Sequence, residues 1–404
     1  MDLFLICNGF PYSAGDSFLR NELDYLSARF NTVTIFNLVK NKADASVKLP
    51  ANITVVNQAA IALPASRLII FTGSFWFIVK TLFKEWKDCK DKRFFAGKAR
   101  HFISELINSI ILAKKIATLG WQKEQTVFYS FWMNSGALAL SYLKYQRKIK
   151  TFVFRVHGFD LYKERHPNNY LPFRKTNYDY ADKIFAISDL GKKYIRDNYD
   201  NYSKVQTSHL GTGFYGSGPF DPDAYTIVSC SNIIALKRLG LICKALQGIN
   251  DMQVNWLHFG DGNLKEELVA EAKKLPANIN FKLMGFVTPD ALFNFYKTNP
   301  VSVFINVSET EGLPVSIMEA ISFGIPVMAT DVGGTSEIVT AETGILLNKD
   351  ITEADLGAAI RDFFTGKLNT IEFRKHVSGF WKAHFSSEAN YMAFCDELHR
   401  LTKQ

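Results

Sequence analysis

The stretch Glu311-Gly312-Leu313-Pro314-Val315-Ser316-Ile317-Met318-Glu319-Ala320 is the most informative part of the chain. It follows an apolar run, residues 301–305, that predicts a strand. Pro314 suits the first turn of a helix, because the N–H that proline lacks would have no partner there. The neighbouring N–H groups would then favour an anion, while Glu311 and Glu319 could accept hydrogen bonds from hydroxyls. The alternative is a capping carboxylate followed by an exposed helical glutamate.

Outward from this stretch, strand-like and helical segments alternate along the chain. Hydrophobic residues make up 47% of the 404 residues and charged residues 21%, which is ordinary globular usage and excludes a mainly disordered protein. A glycine- and proline-rich segment, residues 211–224, predicts a linker near the middle. We therefore expect two α/β domains, each with a parallel sheet. The predicted strands are residues 3–7, 32–36, 127–131, 151–156 and 183–187 before the linker, and 227–230, 254–259, 279–283, 301–305 and 326–329 after it.

The segment that follows the two glutamates carries a family resemblance. The sequence AISFGIPVMATDVGG (residues 320–334), preceded by two glutamates with seven residues between them, resembles the retaining glycosyltransferases of family 4. The resemblance is strong over residues 225–345, moderate over 127–212 and weak over 1–60. It implies the GT-B fold, with two Rossmann-like α/β/α domains facing each other across a cleft. The implied parts are an acceptor-binding domain (1–212), a donor-binding domain (213–380) and a C-terminal helix that returns to the first domain (381–404).

The resemblance also implies a donor site for a nucleotide-sugar. Glu311 would bind hydroxyls of the donor sugar, Glu319 would bind the ribose, and Lys237 would contact the diphosphate. The family usually has arginine where this chain has Asn232, so either Arg238 compensates or the diphosphate loses one charged contact. The other implied donor-binding residues are Gly15, Gly285, Phe286, Gly312, Leu313, Pro314 and Val315.

On the acceptor side, the resemblance points to His157 at the end of a predicted strand. Asp16, beside Gly15, stands where the family has a second glycine, and it would reach the acceptor or cap a helix. Asp160 would line the acceptor groove. The implied catalytic residues are His157, Lys237 and Glu311, none of them a covalent nucleophile. No metal or other cofactor is expected, and we favour a UDP-sugar over a GDP-sugar as the co-substrate.

Basic and aromatic residues are concentrated in the segment between the predicted strands 32–36 and 127–131. Residues 61–125 hold 12 Lys/Arg and 5 Asp/Glu, which accounts for +7 of the net charge of +8. A basic amphipathic helix with Trp and Phe can lie in a membrane interface, so we predict that residues 65–118 contact the inner membrane surface. The alternative is a solvated charged face over a packed apolar one. No zinc-finger, RNA-recognition or helix-turn-helix signature is present, and we expect no nucleic-acid partner.

The sequence therefore predicts a retaining glycosyltransferase of cell-surface polysaccharide biosynthesis with a lipid-linked saccharide acceptor. It resembles bacterial enzymes of capsule, O-antigen and exopolysaccharide assembly. The longest near-apolar run, residues 68–79, is too short to span a membrane, and no signal-peptide pattern is evident. We expect a protein on the cytoplasmic face of the inner membrane. Two alternatives stay open, an enzyme with a soluble acceptor and a nucleotide-sugar-binding scaffold with weak activity.

Overall fold

The structure, a computed structural model, describes residues 1–11, 18–39, 48–58, 73–199 and 202–403. This part of the chain forms two compact units. The first unit comprises Met1–His209 together with Tyr391–Gln404, and the second comprises Leu210–Asn390. Each unit contains one parallel sheet with helices between most successive strands, in agreement with the alternation in the sequence.

The first unit is built on a seven-stranded parallel sheet. Its strand order is β3-β2-β1-β4-β5-β6-β7. In the register of β1, Leu3 pairs with Val33 of β2 on one side and with Val127 of β4 on the other. The strands are β1 (Asp2–Cys7), β2 (Val33–Asn37), β3 (Ile53–Asn57), β4 (Thr126–Ser130), β5 (Thr151–Val156), β6 (Lys183–Ala186) and β7 (Val205–Thr207).

Both faces of this sheet are buried, which explains why its strands are apolar throughout rather than alternating. Phe4 and Ile6 of β1 belong to one core cluster, whereas Leu3 and Leu5 belong to another. Successive side chains of a strand point to opposite faces, so helices must cover the sheet on both sides. The helices before residue 200 are α1 (Arg20–Arg29), α2 (Phe75–Asp88), α3 (Lys92–Ala117), α4 (Ser135–Tyr145), α5 (Arg174–Tyr180) and α6 (Asp189–Asn198).

The C-terminal helix α13 (Ser387–Thr402) contributes most of its length to the first unit. The guanidinium of Arg155 lies over the ring of Phe394, with its Cζ 4.3 Å from the ring centroid. Arg155 in turn holds the carboxylate of Glu22 at 2.6 Å, and both charged side chains are fully buried. The ion pair and the ring of Phe394 together connect α1, β5 and α13 in one core.

The second unit has a six-stranded parallel sheet of order β10-β9-β8-β11-β12-β13. Its strands are β8 (Thr226–Cys230), β9 (Val254–Phe259), β10 (Ile279–Gly285), β11 (Val303–Asn306), β12 (Val327–Thr330) and β13 (Gly344–Leu347). Its helices are α7 (Leu239–Gln247), α8 (Lys265–Ala272), α9 (Pro289–Thr298), α10 (Val315–Ser322), α11 (Glu353–Thr365) and α12 (Ile371–His384).

In each sheet the direction in which strands are added reverses once. The reversal falls between β1 and β4 in the first unit, and between β8 and β11 in the second. Open parallel sheets bind ligands in the crevice beyond the carboxyl ends of the two strands that flank such a reversal. The loops that follow these four strands are therefore the places to look for a site.

The basic and aromatic region predicted to be helical forms α2 and α3 over the part that the structure describes. Residues 65–72 lie outside the described residues. Among the helices that are described, none is both long and apolar enough to cross a bilayer.

Candidate functional site

Lys237 and Glu311 meet at the strand-order reversal of the second unit. Lys237 ends a single 3₁₀ turn in the loop after β8, and Glu311 lies in the loop between β11 and α10. The Nζ of Lys237 donates to Oε1 of Glu311 at 2.6 Å, and Nδ2 of Asn306 donates to the same oxygen at 3.1 Å. Both members of the ion pair are only partly exposed. The structure thus brings together the lysine and the glutamate that the sequence singles out. Asn306, at the end of β11, carries no motif signal that could have identified it.

The loop before α10 exposes backbone N–H groups beside this ion pair. The N–H groups of Gly312, Leu313 and Val315 have no hydrogen-bond partner in the part of the chain that the structure describes. The free N–H groups of a helix start favour an anion, because the helix dipole adds to them. The helix begins at Val315, and Pro314 is its extended N-cap residue with ψ of 108°. The prediction that Pro314 lies in the first turn is therefore wrong by one residue.

A close backbone contact fixes the position of Glu311. Gly333 has φ of +55°, and a Cβ placed on it would lie 2.0 Å from the carbonyl oxygen of Glu311. The N–H of the next residue, Gly334, donates to the carbonyl of Gly312 at 2.7 Å. The loop before α10 can take its shape only because residue 333 has no side chain.

Three other predicted donor-binding residues share a pocket in the second unit. The pocket has a volume of about 180 Å³, and its lining includes Asn232, Phe286 and Glu319. Desolvation raises the pKa of the Glu319 carboxyl to about 8. Phe286, which is 76% exposed, follows Gly285 at the end of β10, where φ is +71°. A pocket with an exposed aromatic ring and a carboxyl group suits a base and a ribose.

Arg238 lies apart from this pocket. Its Nε donates to the carbonyl of Val307 at 2.6 Å, and its backbone is left-handed with φ of 47°. It lines a different pocket, of about 260 Å³, between α7 and α8. Among the predicted donor-binding residues that are described, Arg238 is thus the one engaged elsewhere, and Asn232 contributes no charge.

On the first unit, His157 and Asp160 form a compact group after β5. His157 is buried, with the ring of Trp132 centred 4.2 Å from its own and that of Phe131 at 5.1 Å. Asp160 accepts hydrogen bonds from the N–H of His157 at 2.6 Å and of Met133 at 2.9 Å. Burial alone would raise the pKa of Asp160, but the hydrogen bonds and charge supplied by His157 lower it.

Asp160 and Trp132 line a pocket of about 320 Å³, which we call the Asp160 pocket. Its polar lining includes Asn134 and Arg174, while Trp132 offers an aromatic face. The ring of His157 packs on that of Trp132 and does not belong to this lining. Asp16, predicted to bind the acceptor, and Gly15, predicted to bind the donor, lie outside the described residues.

The second unit resembles a known protein family. Residues 216–378, which fall within that unit, match the family described as glycosyl transferases group 1. The second unit is thus similar to group 1 glycosyltransferases. The chain is 21% identical over 222 residues to the GtfA subunit of the UDP-N-acetylglucosamine–peptide N-acetylglucosaminyltransferase of Streptococcus agalactiae, covering 52% of this chain and 43% of that protein.

A second relative gives a shorter but closer match. Over 123 residues the chain is 32% identical to the O-antigen biosynthesis glycosyltransferase WbnH of Escherichia coli, which covers 30% of this chain and 33% of that protein. The chain therefore spans less than half the length of these curated relatives. The resemblance to glycosyltransferases drawn from the sequence is supported by both.

Similarity in structure extends over the whole chain. The crystal structure of Anabaena HepE in complex with UDP matches with a TM-score of 0.67 at 14% identity, and covers 99% of this chain and 100% of that one. At this identity the likeness concerns the fold alone. The prediction of two Rossmann-like α/β domains of the GT-B type is confirmed.

Proposed function

We propose that this protein is a retaining glycosyltransferase that moves a sugar from a UDP-sugar to a hydroxyl of a saccharide acceptor. The observation that carries the proposal is the contact between Lys237 and Glu311 at the strand-order reversal, beside unpartnered N–H groups of the loop before α10. The similarity of this unit to group 1 glycosyltransferases supports it. The choice of uridine is supported by the relatives, since one is named for UDP-N-acetylglucosamine and HepE was solved with UDP.

Each donor-site group has a distinct task in this proposal. An ammonium group has three N–H donors, so Lys237 can hold Glu311 and a phosphate oxygen together. The N–H groups of Gly312, Leu313 and Val315 add to the stabilisation of the diphosphate as charge builds up on it. Glu311 accepts hydrogen bonds from the donor sugar, while the pocket of Phe286 and Glu319 holds the nucleoside.

The chemical step needs no protein nucleophile and, we propose, no metal ion. The bond between sugar C1 and the diphosphate oxygen breaks while the acceptor oxygen bonds to C1 on the same face. The acceptor proton passes to the departing diphosphate. The enzyme contributes by holding the reactants in position and by stabilising the charge on the leaving group.

Alanine variants test this assignment without knowledge of the acceptor. We expect Lys237→Ala and Glu311→Ala to lower hydrolysis or transfer of the UDP-sugar about 100-fold or more, as loss of a charge-stabilising group does in other enzymes. The matched control is Lys244→Ala, which removes an exposed lysine that pairs with Glu353 at 3.4 Å. Circular dichroism reports whether each variant is folded. Near-native turnover in a folded Lys237→Ala or Glu311→Ala variant would contradict the proposal, and tight UDP binding without turnover in the native protein would favour the scaffold alternative.

We propose that the acceptor is lipid-linked and that α2 rests on the cytoplasmic face of the inner membrane. Trp76, Phe83 and Trp86 of α2 are exposed by 71%, 53% and 46%. The ammonium group of Lys87 lies 4.8 Å from the ring centroid of Phe83, and that of Lys92 lies 4.8 Å from that of Trp86. Exposed aromatic rings next to lysines suit an anionic membrane interface and disfavour the alternative in which the apolar face is packed. The named role of WbnH in O-antigen biosynthesis is consistent with an acceptor on a lipid carrier.

Flotation with phosphatidylglycerol-containing vesicles at low salt tests the membrane contact. The variant Trp76→Ser/Phe83→Ser/Trp86→Ser should partition at least about tenfold less, since burial of each such side chain is worth roughly 1.5–3 kcal/mol. The control is Phe214→Ser, which removes an aromatic residue of the second unit that is 62% exposed. Equal flotation of the triple variant and the native protein, or no flotation of either, would contradict the membrane contact and favour a soluble acceptor.

A further inference from the structure

A second pocket of the first unit lies between α2 and α5, and we call it the α2–α5 pocket. Its volume is about 470 Å³. Its lining comes from the end of α2, the loop before α5, the start of α5 and the segment after α6. No residue named by the sequence motifs belongs to it. Leu171 and Arg174 line both this pocket and the Asp160 pocket, so the two are neighbours.

Most charged groups around the α2–α5 pocket are already bound to protein partners. Lys175 pairs with Asp88 at 2.6 Å, and Lys163 donates to the side-chain oxygen of Asn198 at 2.6 Å. Asp91 caps α3 by accepting from two backbone N–H groups, and Arg174 donates to the carbonyl of Met133 at 2.8 Å. The partners of Lys163 and Arg174 are neutral oxygens, and Lys90 adds a further ammonium group to the lining. Such N–H donors can bind hydroxyl oxygens as well as anions, so inorganic phosphate serves as a competitor in the binding test.

The lining also contains two neutral amides and two aromatic rings. The side-chain amides of Asn168 and Asn169 make no hydrogen bond within the part of the chain that the structure describes. Tyr170 and Tyr199 add aromatic rings to the lining. A sugar presents hydroxyls, which both donate and accept hydrogen bonds, together with an apolar C–H face that packs on such rings.

Glu85 also lines the pocket, and its carboxyl group is a further partner for a sugar hydroxyl. Its Oε2 accepts from the hydroxyl of Tyr170 at 2.6 Å and from the N–H of Phe173 at 2.8 Å, whereas its Oε1 has no partner among the described residues. The residue is 2% exposed. Burial raises the pKa of Glu85 to about 7, although the hydrogen bonds from Tyr170 and Phe173 oppose the rise. A carboxyl group that is easily protonated can accept from a hydroxyl or donate to one.

We infer that the α2–α5 pocket is a second saccharide subsite, which binds a neutral sugar unit of the acceptor next to the unit held in the Asp160 pocket. The inference rests on the proposed function, because it takes the acceptor to be a saccharide. The subsite shares Leu171 and Arg174 with the Asp160 pocket, so one acceptor can occupy both pockets. The enzyme then selects acceptors of at least two sugar units.

The two asparagines allow a clean test, because both have left-handed backbone with φ of 56° and 51°. Glycine accepts this conformation, so the variant Asn168→Gly/Asn169→Gly removes the amides without straining the loop. The matched control is Arg147→Gly, at a residue with φ of 55° outside the pocket. The probes are the methyl glycosides of glucose, galactose, N-acetylglucosamine and rhamnose, with binding read by saturation-transfer difference NMR.

We expect at least one glycoside to give a signal with the native protein, and that signal to fall about twofold in the double variant but not in Arg147→Gly, since the Asp160 pocket still contributes. No signal from any glycoside, an equal signal in the double variant, or displacement by inorganic phosphate would overturn the inference. Binding of UDP is measured on the same samples. If UDP fails to bind while the asparagine-dependent signal persists, the proposed function fails and the saccharide subsite stands.

Discussion

Binding of UDP should depend on pH through Glu319. The carboxyl of this residue lines the pocket that also contains Asn232 and Phe286, and desolvation raises its pKa to about 8. If the ribose hydroxyls donate to an ionised Glu319, the protein must release a proton when UDP binds below that pH. The affinity for UDP should therefore rise as the pH rises towards the pKa and level off above it. The perturbation is Glu319→Gln, which keeps the shape of the side chain and cannot ionise.

The size of the effect follows from the ionised fraction. With a pKa of about 8, about 3% of the carboxyl is ionised at pH 6.5 and about 75% at pH 8.5. The affinity of the native protein for UDP should thus increase roughly 25-fold over this range, or about 1.9 kcal/mol. The phosphate groups of UDP titrate as well, but they do so equally with both proteins, so the ratio of native to Glu319→Gln affinity isolates the carboxyl.

Isothermal titration calorimetry at pH 6.5, 7.5 and 8.5 measures this ratio directly. Repeating the titration at pH 7.5 in buffers of different ionisation enthalpy also counts the released protons, which should number between one half and one on average. Parallel pH profiles for the native protein and Glu319→Gln would refute the reasoning. So would a native affinity that falls as the pH rises, since the protonated carboxyl would then be the binding form.

Three further substitutions test other parts of the structure. Glu22→Gln leaves Arg155 buried without its charged partner, and should lower the free energy of unfolding in urea by about 3–5 kcal/mol; a loss below 1 kcal/mol would mean that the pair is not buried. Gly333→Ala places a methyl group against the carbonyl of Glu311, and should reduce UDP-sugar turnover at least tenfold, whereas Gly240→Ala, which meets no atom, should not. Phe286→Ala should weaken UDP binding in calorimetry by about 1–3 kcal/mol if the ring stacks on the base; an unchanged affinity would place the base elsewhere.

The general fold could be predicted because parallel strands that are buried on both faces form nearly continuous apolar runs in a sequence. Runs such as residues 3–7 and 127–131 are apolar at nearly every position, and helical segments lie between them. The edge strands β3, β7 and β13 were not predicted. β7 has only three residues, and β3 is partly exposed along most of its length, so neither forms a distinct apolar run.

The candidate site of the second unit could be predicted in part, because several of its residues lie in recognisable sequence motifs. Glu311 and Glu319 flank one helix start, and Lys237 lies in the loop after β8. The roles of Asn306 and Gly333 depend on contacts between loops that follow different strands. No local pattern reports such contacts, since they arise only when the sheet is assembled.

Whether the aromatic side chains of α2 are packed or exposed could be decided only by the structure. Its sequence alternates aromatic and basic residues, which fits either a packed apolar face or an exposed one. The buried face turns out to be formed by Phe77, Thr81 and Glu85, so two of its three residues are polar. The aromatic residues are displaced to the solvent side because the helix packs through that polar face, with Glu85 bound to Tyr170.

We propose that the second unit binds a UDP-sugar through residues at its strand-order reversal. Thermal unfolding with UDP, GDP and a panel of their sugar derivatives tests it most directly, because a ligand that binds only the folded protein stabilises it by about 2.7 kcal/mol at 100 times its Kd. We expect a rise in Tm with UDP, a larger rise with a single UDP-sugar, none with GDP, and no rise in Lys237→Ala. No shift with any nucleotide, or an equal shift in Lys237→Ala, would contradict it.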